Sequence, residues 1–176
     1  MKKSRFILMI IFVASLLGCS SPDISVYEKN QPKFLLENFF SGKLTAHGIL
    51  KNRQGEVIRY FNADLLGHWQ SGVGRLEETF LFDDGEEQER VWTLTPTGAG
   101  GYIAKANDVV GAGEVSMSGN ALFMNYELLV PYDGDVVQIN VDDRMYLVNE
   151  KTVINESVMT KFGFEVGYLT IVITKE

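Results

Sequence analysis

The sequence predicts one all-β domain, an antiparallel barrel of about eight to ten strands with a short helix in front of it. Three observations carry that prediction. Apolar residues alternate with polar ones at period two in run after run. Glycine and aspartate clusters separate the runs at short spacing. Glycine also recurs inside the runs, where a sheet that curls into a barrel needs bends.

The elements follow in chain order. Gln31-Pro32-Lys33-Phe34-Leu35-Leu36-Glu37-Asn38-Phe39-Phe40-Ser41-Gly42 predicts a short helix, with proline in its first turn and Gly42 as its cap. It is too apolar to lie in solvent and should pack on the domain or close one end of it. From Lys43 onward the pattern is strand and turn. Val57-x-Arg59-x-Phe61-x-Ala63-x-Leu65 alternates, as does Leu76-x-Glu78-x-Phe80-x-Phe82. Leu122-x-Met124-x-Tyr126-x-Leu128-x-Val130 is the clearest case. Val137-x-Ile139-x-Val141 runs on to Met145 and Leu147, and Leu169-x-Ile171-x-Ile173 closes the series. The turn signals are Asn52-Arg53-Gln54-Gly55, Asp83-Asp84-Gly85, Gly98-Ala99-Gly100-Gly101, Ser118-Gly119-Asn120 and Asp133-Gly134. Gly48, Gly67, Gly72, Gly74, Gly111, Gly113 and Gly167 fall within strands and predict bulges or sharp coil.

The first residues read differently. Lys2, Lys3 and Arg5 precede an apolar run of 12 residues, Phe6 to Leu17. A membrane-spanning helix needs roughly 20, so the run reads as a secretory signal. Leu16-Leu17-Gly18-Cys19 has the form of a bacterial lipobox. Lipidation would also account for a lone cysteine in an exported chain. Residues 1–18 are therefore expected to be a lipoprotein signal peptide, 19–30 a lipidated tether and 31–176 the barrel domain. Multiple acyl chains on Cys19 would anchor stably where one would not. Ser20 and Ser21 after the cysteine fit the periplasmic face of the outer membrane.

Residues 1–18 hold three of the 16 basic residues and none of the 23 acidic ones, which leaves the rest at a net charge of −10. That excludes nucleic acid as a natural partner. With one cysteine, no internal disulfide can staple the fold.

Gly67-His68-Trp69 resembles the Gly-x-Trp signature of lipocalin-like (calycin-like) barrels, where the indole packs across the barrel floor. Haem would need an axial ligand, and His47 and His68, the only histidines, form no ligand-spaced cluster. Asp83-Asp84-Gly85-Glu86-Glu87-Gln88-Glu89 lacks the alternating spacing of a calcium loop and reads as a solvated hairpin tip. No metal site and no cofactor are expected. There is no Gly-x-Ser-x-Gly elbow, phosphate loop or paired-histidine zinc motif, so no residue set argues for catalysis.

Charge on apolar strand faces is less ordinary. Glu78 shares a face with Leu76, Phe80 and Phe82; Arg90 with Trp92 and Leu94; Asp143 with Val141, Met145 and Leu147. A buried charge must be paired or meet water. These residues either form a polar network lining an internal cavity or sit at strand ends near a rim. If Phe82 faces Arg90 across the acidic loop, Glu78 lies opposite Leu94, and Asp143 becomes the expected partner of Arg90.

Taken together, Phe39-Phe40-Ser41-Gly42, Gly67-His68-Trp69 and Leu76-Glu77-Glu78-Thr79-Phe80 with Asp83-Asp84-Gly85 resemble a bacterial lipoprotein family, domain of unknown function 3833. Arg90-Val91-Trp92, Ala106-Asn107-Asp108-Val109-Val110-Gly111, Gly119-Asn120-Ala121, Asp142-Asp143-Arg144-Met145-Tyr146 and Lys161-Phe162-Gly163-Phe164-Glu165-Val166-Gly167 extend the resemblance over nearly the whole domain. The family brings no catalytic residues. Its members often lie beside genes for cyclopropane fatty acid synthesis, which implies a lipid-linked envelope role.

The expected function is an envelope lipoprotein whose barrel binds a fatty acyl or other small apolar ligand. Trp69, Trp92, Met124 and Tyr126 would supply apolar contact. Glu78, Arg90 or Asp143 would meet a polar head. The alternatives are a solidly packed interaction protein and, third, a lipid-modifying enzyme.

Overall fold

The structure is a computed structural model that describes residues 22–98, 100–132 and 134–176. The predicted signal peptide and Cys19 lie outside the described residues. Ten strands form a closed antiparallel barrel: β1 (Gly42–Asn52), β2 (Val57–Gln70), β3 (Val73–Phe82), β4 (Glu87–Pro96), β5 (Tyr102–Lys105), β6 (Val109–Ser118), β7 (Ala121–Tyr132), β8 (Asp135–Asn149), β9 (Thr152–Lys161) and β10 (Phe164–Lys175). Each strand pairs with its neighbours in sequence, and β1 pairs with β10 to close the ring, Leu44 opposite Lys175 and Asn52 opposite Gly167. This is the predicted lipocalin-like architecture at the upper end of the expected strand number.

Alternation decides which side chains face inward. In β2, Phe61, Ala63 and Leu65 are buried while Asn62, Asp64 and His68 are exposed. In β9 the inward positions are Val153, Asn155 and Ser157, all nearly inaccessible. The ladder shifts register where glycine was expected to bend it: between Val110 and Glu114 in β6, around Gly111 and Gly113, and between Glu165 and Gly167 in β10.

One end of the barrel is plugged. The predicted helix over 31–42 contracts to a single turn, α1 (Leu36–Phe39). The reason is its apolar content. Phe34, Leu36, Phe39 and Phe40 are each at most 4 % exposed. Four residues so spaced cannot all reach the core from one regular helical face, so the chain coils to insert them. Their rings pack edge to face, Phe39 on Phe40 at 5.0 Å between centroids and Phe34 on Phe39 at 5.7 Å. The Phe34 amide donates to the Gly119 carbonyl (2.8 Å), and the Lys175 ammonium donates to the Asn38 carbonyl. Gly42 does not cap the helix; at φ +83° it makes the turn into β1.

Within the expected tether, 19–30, the described residues include a stretch seated on the barrel. Ile24–Tyr27 form a 3-10 turn capped by Asp23, whose carboxylate accepts from the Ser25 amide. The Tyr27 ring packs against Phe123 (5.8 Å) and Tyr146 (5.4 Å) on the outer face of β7 and β8. No helix among the described residues is long and apolar enough to cross a membrane.

Candidate functional site

The site begins at its floor. Gly67 lies where the plug crosses β2, and a Cβ there would fall 1.7 Å from the Phe40 carbonyl oxygen. Trp69, two residues on, donates its indole N–H to that same oxygen at 2.9 Å. The indole in turn covers Gly74, where a Cβ would stand 2.6 Å from the ring. The Gly-x-Trp motif is thus a clamp for the N-terminal plug: glycine admits the carbonyl and tryptophan holds it. Trp69 belongs to the floor and does not line the space above it.

That space is a chamber of about 240 Å³ running from Leu36 and Phe40 toward the opposite end of the barrel, where Arg59, Phe82, Val130 and Pro131 line it. Of the residues predicted for ligand contact, Glu78, Arg90, Trp92, Met124, Tyr126 and Asp143 all line it. The polar network along an internal cavity is therefore the alternative that describes this barrel, and the rim reading of those three charges is not.

The predicted register of the β3–β4 hairpin needs correction. Glu78 stands directly opposite Arg90, not Leu94. The loop is tighter than its acidic sequence suggested: the Phe82 amide bonds to the Glu86 carbonyl, so only three residues separate the paired positions. Asp143 is not the direct partner of Arg90 either. That partner is Asp108, which sequence reasoning missed. The Asp108 carboxylate accepts from Arg90 Nε at 3.0 and 2.9 Å and from Nη2 at 2.7 Å. Strand β5 is only four residues long and pairs only Thr93–Pro96, so it leaves the start of β4 without a neighbour on that side. The Asn107 side chain fills the gap, accepting from the Val91 amide and donating to the Glu89 carbonyl. With Asn107 pinned outward on β4, Asp108 turns in to Arg90.

Arg90 Nη1 points at Glu78 Oε2 across 3.9 Å, too far for a direct hydrogen bond. Burial works against the Arg90 charge, but the bonds from Asp108 and the Glu78 charge more than offset it and raise its pKa. Glu78 goes the other way. Burial raises its carboxyl to about 7, against the opposing pull of Arg90 and a hydrogen bond from Trp92. Asp143 is also raised by burial, although Asn155 and Ser157 both donate to its Oδ1, the latter at 2.7 Å. Burial likewise pushes the Tyr126 phenol up, and the Asp143 charge adds to the effect. Trp92 meets Tyr126 edge to face at 5.4 Å.

The raised Glu78 pKa makes a pH prediction. Folded Glu78 keeps its proton up to about pH 7, while an unfolded glutamate loses it near 4.5. The folded state binds more protons across that window, so this group lowers stability as pH rises through it. Glu78→Gln removes the penalty. Its stability relative to the parent should improve by on the order of 3 kcal/mol between about pH 4 and pH 8 in urea titrations. A pH-independent difference would refute the shift.

At the open end, Arg59 pairs with Asp84 (2.7 Å) and Glu86 (2.6 Å) from the acidic loop, so that loop is ion-paired rather than simply solvated. The Arg59 guanidinium lies 3.7 Å from the Phe82 ring centre, and its buried Nε has no hydrogen-bond partner there. Around this mouth the hairpin tips expose Phe162, Phe164, Tyr132 and Val136, each at least 67 % accessible. No group of three or more metal-ligating side chains occurs among the described residues. His47 and His68 sit on the outer face, away from the chamber.

The fold and the chamber define a lipocalin-like barrel, plugged at one end and hollow within. Residues 13–175 match the family described as Protein of unknown function (DUF3833), and the chain belongs to that family. No curated protein matches it. Its fold is similar to that of an S-type phycobiliprotein lyase from Guillardia theta, with TM-score 0.60 and 12 % identity over 88 % of this chain and 98 % of that one. It is also similar to a protein of unknown function of the DUF3598 family from Nostoc punctiforme, with TM-score 0.58 and 15 % identity over 83 % of this chain and 51 % of that one. At these identities the likeness is one of fold.

Proposed function

We propose that this protein is an envelope lipoprotein whose barrel binds a slender apolar molecule, such as a fatty acyl chain, by enclosing it in the chamber. The chamber itself carries the reading. It lies just under the roughly 300 Å³ at which small-molecule sites commonly begin, so it suits a narrow chain better than a broad ring system. Its walls are mostly apolar, with Trp92, Met124 and Leu128 facing inward and a few polar groups at mid-depth. That mixture is the usual composition of a small-ligand site. A solidly packed interaction protein has no use for buried Glu78 and Asp143 beside an open space.

The anchor and the location rest on sequence. Lys2, Lys3, Arg5, the apolar run and Gly18-Cys19 support lipidation, and Ser20 supports the periplasmic face of the outer membrane. The genomic company of the family agrees with a role linked to membrane lipid modification.

The test is to purify the full chain from membranes, extract it with organic solvent and identify by mass spectrometry what it carries. The parent should yield a stoichiometric apolar molecule beyond its own anchor. Ala46→Phe, which puts a ring into the chamber at an overpacking cost of about 1–3 kcal/mol, should stay folded and lose it. An empty parent would overturn the proposal. Palmitate labelling that persists in Cys19→Ala would overturn the anchor alone.

A further inference from the structure

The charges in the chamber are arranged to refuse an anion. Apolar chains in cells commonly end in a carboxylate or a phosphate, and a site for either needs an uncommitted cation. Among the described residues, two arginines and no lysine line the chamber. Arg90 is held by Asp108 through three hydrogen bonds, and its free end faces Glu78. Arg59 meets two carboxylates at once through Nη2, which leaves that group with a net negative charge although its buried Nε has no hydrogen-bond partner among the described residues. Against these stand Glu78, Asp108 and Asp143 on the chamber wall, with Asp84 and Glu86 just outside it. With the Asp108 carboxylate accepting from Arg90, the Arg90–Asp108–Glu78 group is neutral when Glu78 holds a proton and negative when it does not.

The same geometry has room for something else. The 3.9 Å between Arg90 Nη1 and Glu78 Oε2 is bridgeable by one oxygen atom. A hydroxyl there accepts from Arg90 and donates to ionised Glu78; a carbonyl accepts from both Arg90 and protonated Glu78. Tyr126 lines the same space. Asp143 is engaged through Oδ1 alone, by Asn155 and Ser157, which leaves Oδ2 as a further acceptor.

We infer that the chamber selects an apolar chain ending in an uncharged hydroxyl, ester or amide, and discriminates against the same chain ending in an anion. This inference rests on the proposed ligand-binding role and narrows it. Asp108 becomes the specificity-determining residue, since it neutralises the one arginine at mid-depth.

The experiment uses the purified full chain in amphipol, with tryptophan fluorescence as the readout of binding near Trp92. The probes are 1-monodecanoylglycerol and decanoate at about pH 8, where the acid is ionised. The expected result is that the glyceride binds at least about tenfold more tightly than decanoate, a difference of about 1.4 kcal/mol. Asp108→Asn, which releases Arg90, should shrink or reverse that gap. Decanoate binding as tightly as the glyceride to the parent would overturn the inference and leave the ligand-binding role standing. Failure of both probes would overturn both. The comparison on the parent protein decides the matter even where Asp108→Asn does not fold.

Discussion

Arg90→Met should destabilise the barrel by about 3–5 kcal/mol, because it breaks a largely buried ion pair. The Arg90 side chain is 18 % exposed, and both its partners are largely buried. Removing it leaves Asp108 and Glu78 facing each other in the chamber with no counter-ion. Methionine replaces the packing of the arginine stem, so the loss is mainly electrostatic. A second substitution should recover part of it. Arg90→Met with Asp108→Asn removes both charges and leaves only Glu78, which can take a proton. Urea unfolding of the parent, the single and the double variant is the measurement. A single variant within about 1 kcal/mol of the parent would mean that the pair is solvated and does not pin the Asn107–Asp108 loop.

Gly67→Ala should cost at least about 3 kcal/mol, because the added methyl cannot be accommodated by rotating a side chain. The atom it meets is the Phe40 backbone oxygen, at 1.7 Å. The plug must lift or β2 must bend. Either movement breaks the Trp69 bond to Phe40 and opens Phe34, Phe39 and Phe40 toward water. The expected signature is a lower urea midpoint together with new binding of an apolar dye. Trp69→Phe makes the comparison, since it keeps a ring over Gly74 and loses the hydrogen bond; it should cost only about 1 kcal/mol. Equal midpoints for Gly67→Ala and the parent would dismiss the clamp.

The strands with strict alternation, such as Leu122 to Val130, were legible because one face of each must be apolar and the other wet. Strands β5 and β6 were not. Tyr102–Lys105 is too short to show a period, and Gly111 and Gly113 erase the pattern in the bulged part of β6. The helix was misjudged in length because capping residues were present while the apolar residues were too many for one face. Within the site, the inward-facing charges were visible as breaks in apolar faces. Their pairing was not, because register depends on loop length. Read as seven residues, the acidic loop displaces Glu78 from Arg90; with three, it joins them. Asp108 gave no periodic signal, since it follows a short strand and sits in a turn. Asn155 and Ser157 could have been found: Val153-x-Asn155-x-Ser157-x-Met159 has a period of two with two polar residues on the apolar face.

The seam between β1 and β10 has a consequence for how the chain comes into being. Gly42–Asn52 can pair early with β2, but its other edge has no partner until Phe164–Lys175 has been made. Until then two open edges, each a template for unwanted strand pairing, are present together. Contacts between the two ends of a chain form late and slowly. The hollow interior is complete only when this seam closes, so enclosing a ligand requires the last strand as much as the first.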